Sequence, residues 1–230
     1  MTRLRVLSYN VHSQRDDPAA LASLVRSAAP DVAVVQEGPR RFRWRTRVAD
    51  LAHRLDLVHA GGGLPSLGNV VLTSLRVRVH EQRCLRYPLT PGRHMRGAVF
   101  VRCSVGRTPF VAVGSHLGLD PVERAGQAMI LKKVLADLDA PVVLGIDLNE
   151  GPDGPAWRTV TDGLTDAGAR DGARTFPAGH PQRRIDAIFV DPRCTVVEFR
   201  VLDVPGAPTA SDHLALLVDL ELPGPGTPGA

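Results

Sequence analysis

An α/β domain with two sheets or one large mixed sheet is what this sequence predicts, on three observations. Strand-like apolar runs alternate with amphipathic helical stretches along the chain. Several neighbouring strands are joined by connections too short for a helical crossover, so parallel and antiparallel pairs must coexist. The 230 residues are 43% hydrophobic and 23% charged, which is enough apolar surface for a sizeable core and outside the disordered class. One domain is expected over residues 1–222, followed by a Pro/Gly-rich disordered tail at 223–230.

Taken in order, Leu4 to Tyr9 reads as a strand closed by Asn10, and Val32 to Val35 as a second closed by Gln36 and Glu37. Between them Pro18 to Ala29 has Leu21, Leu24, Val25 and Ala28 on one helical face, with Pro18 near the first turn. Phe42 to Leu55 is the next helix, its stripe formed by Trp44, Val48, Leu51 and Leu55. Gly61-Gly62-Gly63 reads as a loop, and Asn69 to Thr73, Arg76 to Arg86 and Gly97 to Val105 as a meander. Phe110 to Gly114 is a strand ending at Ser115-His116, followed by a helix from Pro121 to Leu138 with Ala125, Met129, Val134 and Leu138 turned inward. Pro141 to Ile146 is continuously apolar, the signature of a strand buried on both faces, and it runs into Asp147-Leu148-Asn149. A short helix at Ala156 to Leu164 and strands at Asp186 to Val190, Val196 to Leu202 and Leu214 to Leu220 complete the series.

Composition excludes several classes. No apolar run approaches the length of a bilayer span, and the start has no signal-peptide h-region. Cys84, Cys103 and Cys194 are odd in number and far apart, which argues against a disulfide framework or a Cys-rich zinc site, so a reducing cytoplasm is expected. The net charge of +4 is no nucleic-acid signature by itself, and the excess of arginine over the two lysines, Lys132 and Lys133, fits genomic base composition.

Polar residues recur at strand ends, where α/β proteins present chemistry: Asn10, Glu37, His116, Asp147 and Asn149. Glu37 alone reads equally as a helix cap or a partner of Arg40, Arg41 or Arg43. Asp147 and Asn149 are more telling, because residues i and i+2 of a strand point to the same side. An Asx-turn into Gly151-Pro152-Asp153-Gly154 accounts for one of the two but not both. In Ser211-Asp212-His213 the neighbouring Asp cannot orient its own His in an extended segment, whereas Asp186 from a nearby strand could. No G-x-S-x-G elbow supplies a serine nucleophile. Carboxylates and amides without clustered Cys or His suit Mg²⁺ or Mn²⁺ better than zinc. The remaining histidines, His12, His53, His59, His80, His94 and His180, read as loop or surface residues, with His12 set apart by its i+2 relation to Asn10.

Ser8-Tyr9-Asn10, Gln36-Glu37, Gly68-Asn69, Ser115-His116-Leu117, Asp147-Leu148-Asn149, Ile185-Asp186 and Ser211-Asp212-His213 occur in the order and rough spacing of the endonuclease/exonuclease/phosphatase superfamily, which the chain resembles from Leu4 to Leu220. The resemblance implies a four-layer α/β sandwich, two mixed β-sheets face to face with helices outside. It implies that Asn10 and Glu37, with Asp212 close by, hold a divalent metal, Mg²⁺ or Mn²⁺, while Asp147 orients or deprotonates water and Asn149 positions the phosphate or the nucleophile. It gives His116 and His213 the donation of hydrogen bonds to phosphoryl oxygens, as protonated imidazoles, with Asp186 buttressing His213. Asn69 and Arg96 fall at the substrate rim. One departure is Ile146, a bulky residue where the family's Gly-Asp-Phe-Asn has glycine.

The expected function is therefore metal-dependent hydrolysis of a phosphoester by water, by a monomer without a membrane span, with nucleic acid as the leading substrate class. A phospholipid, inositol phosphate or other small phosphoester is the enzymic alternative, and a non-catalytic phosphate-binding member of the same family is the alternative from another class. Replacing Asp147 by Asn is expected to act on rate and to leave the melting temperature unchanged or raised, through relief of repulsion from Glu37 and Asp212.

Overall fold

The computed structural model describes residues 2–172 and 174–224; of the expected tail, residues 225–230 lie outside the described residues. The chain first lays down β1 (Thr2–Asn10), α1 (Pro18–Ala28), β2 (Val32–Gln36), α2 (Trp44–Arg54), β3 (Val58–Gly62) and β4 (Val70–Thr73). It then builds a second sheet from β5 (Val77–Arg86), β6 (Gly97–Val105), β7 (Thr108–His116), β8 (Val142–Asp147), β9 (Thr165–Asp166) and β10 (Asp186–Val190), with α3 (Pro121–Ala136) and α4 (Pro155–Thr161) between strands. It returns to the first sheet with β11 (Thr195–Val201), the short α5 (Ala207–Ala210) and β12 (Leu216–Leu222). The orders are β11-β12-β1-β2-β4-β3 and β5-β6-β7-β8-β10-β9. Both sheets are mixed: β1 and β2 pair in parallel, as do β7 and β8, and the other pairs are antiparallel.

Strand alternation sorts the side chains into three apolar layers. In β1, Leu7 and Tyr9 join Leu21, Val25, Val48 and Leu51 beneath α1 and α2, while Leu4 and Val6 point the other way, between the sheets. In β8, Leu144 and Ile146 pack with Leu131, Leu135 and Trp157 beneath α3 and α4, while Val143 joins the inter-sheet layer. The result is helix, sheet, sheet, helix, the four-layer sandwich expected. Each buried Val, Leu, Ile or Phe contributes on the order of 1.5–3 kcal/mol.

Four local readings change. The Gly61 to Gly63 run is not simply a loop, because β3 continues through Gly61 and Gly62. A Cβ at Gly61 would stand 2.9 Å from Val101 Cγ2, so glycine there serves the close approach of the two sheets. β4 belongs to the first sheet, so the meander is β5-β6-β7. In α3 the buried face is Arg124, Gln127, Ala128, Leu131 and Leu135, and Met129 is 59% exposed. Polar residues hold that face because the segment after β7 needs partners: Arg124 Nη1 donates to the carbonyls of Gly118 and Leu119, and Gln127 Oε1 accepts from Gly118 N. Finally, Ile146 does not crowd Asp147, because it points into the α3/α4 layer. Gly145 sits at the inter-sheet contact, where a Cβ would come within 2.7 Å of Ser8 Oγ and 2.9 Å of Val34 Cβ.

Candidate active site

The inter-sheet layer is apolar for most of its length and turns polar at one end, as a consequence of strand register. In β1 the inward positions Leu4 and Val6 are followed by Ser8 and Asn10; in β8, Val143 and Gly145 are followed by Asp147. The parallel pairs bring the carboxyl ends of β1, β2, β7 and β8 to this edge. β10 runs antiparallel to β8 and opens opposite Asp147 with Asp186, and Ser211-Asp212-His213 precedes β12, which runs antiparallel to β1.

Asp147 is 1% exposed and lies at the centre. Its Oδ1 accepts from the backbone N of Asn149 at 2.9 Å, so the Asx-turn is present. Its Oδ2 accepts from Asn10 Nδ2 at 2.9 Å across the sheet gap and lies 3.2 Å from His116 Nε2 and 3.9 Å from His213 Nε2. Asn149, in the left-handed conformation with φ +53°, turns Nδ2 to Leu117 O and to His116 Nε2, both at 3.0 Å. Glu37 is left-handed as well, at φ +55°, and its Oε2 accepts from Ser13 Oγ at 3.0 Å. Left-handed non-glycine residues cost of order 1 kcal/mol or more each and gather at functional sites.

The two imidazoles differ in charge. Burial pushes His116 down to about 3, against the pull of Asp147 and helped by Arg96 and His213. His116 Nδ1 lies 3.3 Å from Arg96 Nη1, while Nε2 lies between Asn149 Nδ2 at 3.0 Å and Asp147 Oδ2 at 3.2 Å. Burial therefore disfavours the charged form of His116, against the expectation that both rings are protonated. For His213 burial also opposes the charge, but Asp186, through charge and a 2.9 Å bond to Nδ1, together with Asp147 and Asp212, raises it to about 9. Arg184, two residues before Asp186, donates to both oxygens of Asp166, at 2.7 and 2.9 Å.

The linkage of His213 has a defined sign. Its folded value is raised, so the stabilisation is fully present below the unfolded value near 6.5 and is lost as pH climbs through about 9. Asp186→Asn is expected to draw the alkaline limb of the kcat profile downward by about one unit or more, because the main charge favouring the imidazolium is gone. A pH–rate profile beside an imidazole NMR titration checks this, and identical limbs in both proteins would reduce Asp186 to a strand residue.

Outside this buried group lies a cleft of about 700 Å³, lined by Glu37, Arg96 and Asp212 together with His12, Ser13, Arg15, Arg40, Arg41, Arg47, Asp50, His94 and Leu119. Asn69 sits beneath the rim, its Nδ2 donating to the carbonyls of Ser66 and Gly97 at 2.8 and 2.9 Å, next to Arg96. His12 and Ser13 are the site residues that the sequence reading left outside; the i+2 relation of His12 to Asn10 was the available signal. Asp147, Asp186 and His213 each turn a potential ligand atom toward the others within 4.8 Å, so a set able to hold a divalent metal is present among the described residues. None of the helices described is long and apolar enough to cross a membrane.

Two mixed sheets face to face are open at one end onto carboxylates, amides and imidazoles. The model of the Endonuclease/Exonuclease/phosphatase family matches residues 7–213, and the chain belongs to that family. Among solved structures, an endonuclease/exonuclease/phosphatase from Beutenbergia cavernae is 26% identical, with a TM-score of 0.74 over 97% of this chain and 72% of that one. A mannosyl-6-phosphatase from Bacteroides thetaiotaomicron is 18% identical, with a TM-score of 0.77 over 95% and 100% of the two chains. D. rerio TDP2 complexed with a single-strand DNA product is 17% identical, with a TM-score of 0.76 over 96% and 100%. No curated protein sequence matches the chain.

Proposed function

We propose that the chain is a divalent-metal-dependent phosphoesterase that hydrolyses a phosphodiester by in-line attack of water, with nucleic acid as the leading substrate. The observation that carries this reading is the convergence of Asn10, His116, Asn149 and His213 on Asp147 immediately behind a cleft lined by Glu37 and Asp212.

The donor set fits a hard cation. Asn10, Glu37 and Asp212 offer oxygen, and Asp212 Oδ1 is buried with no hydrogen-bond partner. His213, hydrogen-bonded to Asp186 and driven toward the imidazolium, is poorly suited to ligate, because a ligating ring must be neutral. We therefore assign the cation to Asn10, Glu37 and Asp212. When bound, Mg²⁺ or Mn²⁺ would polarise a phosphoryl oxygen and stabilise negative charge on the departing alkoxide.

The chain's own residues account for the remainder. Asp147 takes a proton from the attacking water as the new O–P bond forms and the bond to the leaving alkoxide breaks. His213 and His116 donate to phosphoryl oxygens where negative charge accumulates. Asn149 positions the phosphate or the water. Arg96, 7% exposed and with its Nε unpartnered, meets the phosphate from the cleft floor, and Asn69 acts by fixing the backbone beside it. Five cleft arginines against three carboxylates favour a polyanion.

A hydrolysis panel in Mg²⁺ tests the reading: plasmid, abasic duplex, single strands, inositol phosphates, sphingomyelin, sugar phosphates and bis-nitrophenyl phosphate. Turnover of nucleic acid, with affinity falling steeply in salt, is expected. Activity confined to small phosphoesters with a flat salt dependence would move the assignment to a phosphatase, and binding without turnover of any substrate would leave a non-catalytic phosphate binder.

A further inference from the structure

The turn after β1 has a geometry that the reading above does not use. His12, Ser13 and Gln14 are three consecutive non-glycine residues with φ of 44°, 56° and 56°. A left-handed backbone costs an L-residue roughly 1–2 kcal/mol, and a run of three is rarer than a single occurrence. The turn touches each of the three residues assigned to the cation. His12 N donates to Asn10 Oδ1 at 3.1 Å, Ser13 Oγ donates to Glu37 Oε2 at 3.0 Å, and His12 Nε2 stands 3.7 Å from Asp212 Oδ2.

The ring itself is oriented. His12 Nδ1 lies 2.8 Å from Asp16 Oδ2, which places a ring proton on Nδ1 and leaves Nε2 directed at Asp212. With the ring neutral, the Nε2 lone pair and a carboxylate oxygen face each other across a gap that an electropositive group would fill. The other Asp212 oxygen, Oδ1, is buried without a hydrogen bond, 4.0 Å from His213 Nε2, so its hydrogen-bonding capacity is unused. A carboxylate that accepts from one ring nitrogen while the other nitrogen faces a ligand position is the usual second shell of a metal-binding histidine.

We propose that His12, oriented by Asp16, is a nitrogen ligand of the divalent cation held by Asn10, Glu37 and Asp212, and that it biases this site toward Mn²⁺ over Mg²⁺. The inference rests on the assignment of the cation to those three residues. Oxygen donors alone serve both ions, whereas imidazole favours transition metals, and Mg²⁺ prefers an all-oxygen octahedron. The strained turn is the means by which a strand-end histidine reaches the mouth of the site.

The test uses Mn²⁺ alone and Mg²⁺ alone, titrated calorimetrically into the full chain, with pulsed EPR of the Mn²⁺ form. The variants are His12→Asn, which keeps a residue tolerant of the left-handed region, Asp16→Asn and Glu37→Gln. Wild type is expected to bind Mn²⁺ more tightly than Mg²⁺ and to show a directly coupled ¹⁴N. His12→Asn should weaken Mn²⁺ by about tenfold or more, change Mg²⁺ much less and remove the ¹⁴N coupling, while Asp16→Asn should shift Mn²⁺ the same way, within the roughly 10–100-fold range of second-shell losses. Asp16→Asn keeps the question decidable should His12→Asn fail to fold. An unchanged Mn²⁺ to Mg²⁺ ratio and a surviving ¹⁴N signal, with Glu37→Gln abolishing binding, would overturn the role of His12 and leave the cation site standing. If Glu37→Gln altered neither affinity, the site assignment would fall and the inference with it.

Discussion

Asp147→Asn is expected to lower kcat by about 10²- to 10⁴-fold, the usual cost of losing a general base. The charge is removed with almost no change of shape, but the hydrogen bonding is not conserved. Oδ1 accepts from Asn149 N, and Oδ2 accepts from Asn10 Nδ2 and lies 3.2 Å from His116 Nε2. An asparagine that keeps its oxygen on Asn149 N turns its NH₂ against the Asn10 Nδ2 donor, at a cost of roughly 1–3 kcal/mol for buried groups left unpaired. The melting temperature should therefore fall by several degrees, which corrects the sequence-based expectation of an unchanged or raised one. Asn10 cannot repair the mismatch freely, because its Oδ1 already accepts from His12 N. Kinetics on bis-nitrophenyl phosphate, below the melting transition followed by circular dichroism, separate the two effects. A folded variant with wild-type kcat would falsify the assignment of the base, and a variant unfolded at all temperatures would mark Asp147 as a turn-former.

Exhaustive chelation is expected to remove activity altogether, a loss on the order of 10³-fold or more if the cation supplies several kcal/mol to the transition state. Addition of Mg²⁺ or Mn²⁺ should restore it, whereas Ca²⁺, larger and more loosely coordinated, should occupy the site without supporting turnover. The loss should fall on kcat more than on folding, since the three apolar layers that hold the sandwich together do not depend on the cleft. EDTA-treated protein assayed beside its circular dichroism spectrum checks both points. Undiminished turnover after chelation would remove the proposed mechanism while leaving the family membership intact.

Much of the site was legible in the chain because polar residues at the ends of apolar strands are costly unless something compensates them. Asn10, Glu37, His116, Asp147, Asn149, Asp186, Asp212 and His213 could all be picked out this way or by their ordered tripeptides, and the structure brings them to one end of the sandwich. The α3 face was misread because Arg124 and Gln127 do not look like core residues, and their burial is explained by the backbone of Gly118 and Leu119 together with the Glu150 carboxylate. The glycine at 61 could not be separated from a turn glycine without knowing how closely the two sheets pass.

The sequence by itself determined the layered α/β class, the order of the strand-end motifs and the hard-donor chemistry, since each follows from residue type and periodicity along the chain. Tertiary structure alone decided that β4 and β5 lie in different sheets, that burial pushes His116 down while Asp186 pushes His213 up, and that a left-handed turn carries His12 to Asp212. These depend on which groups become neighbours across the inter-sheet gap, and both electrostatic environment and close packing are set by distances in space that the spacing of residues in sequence does not encode.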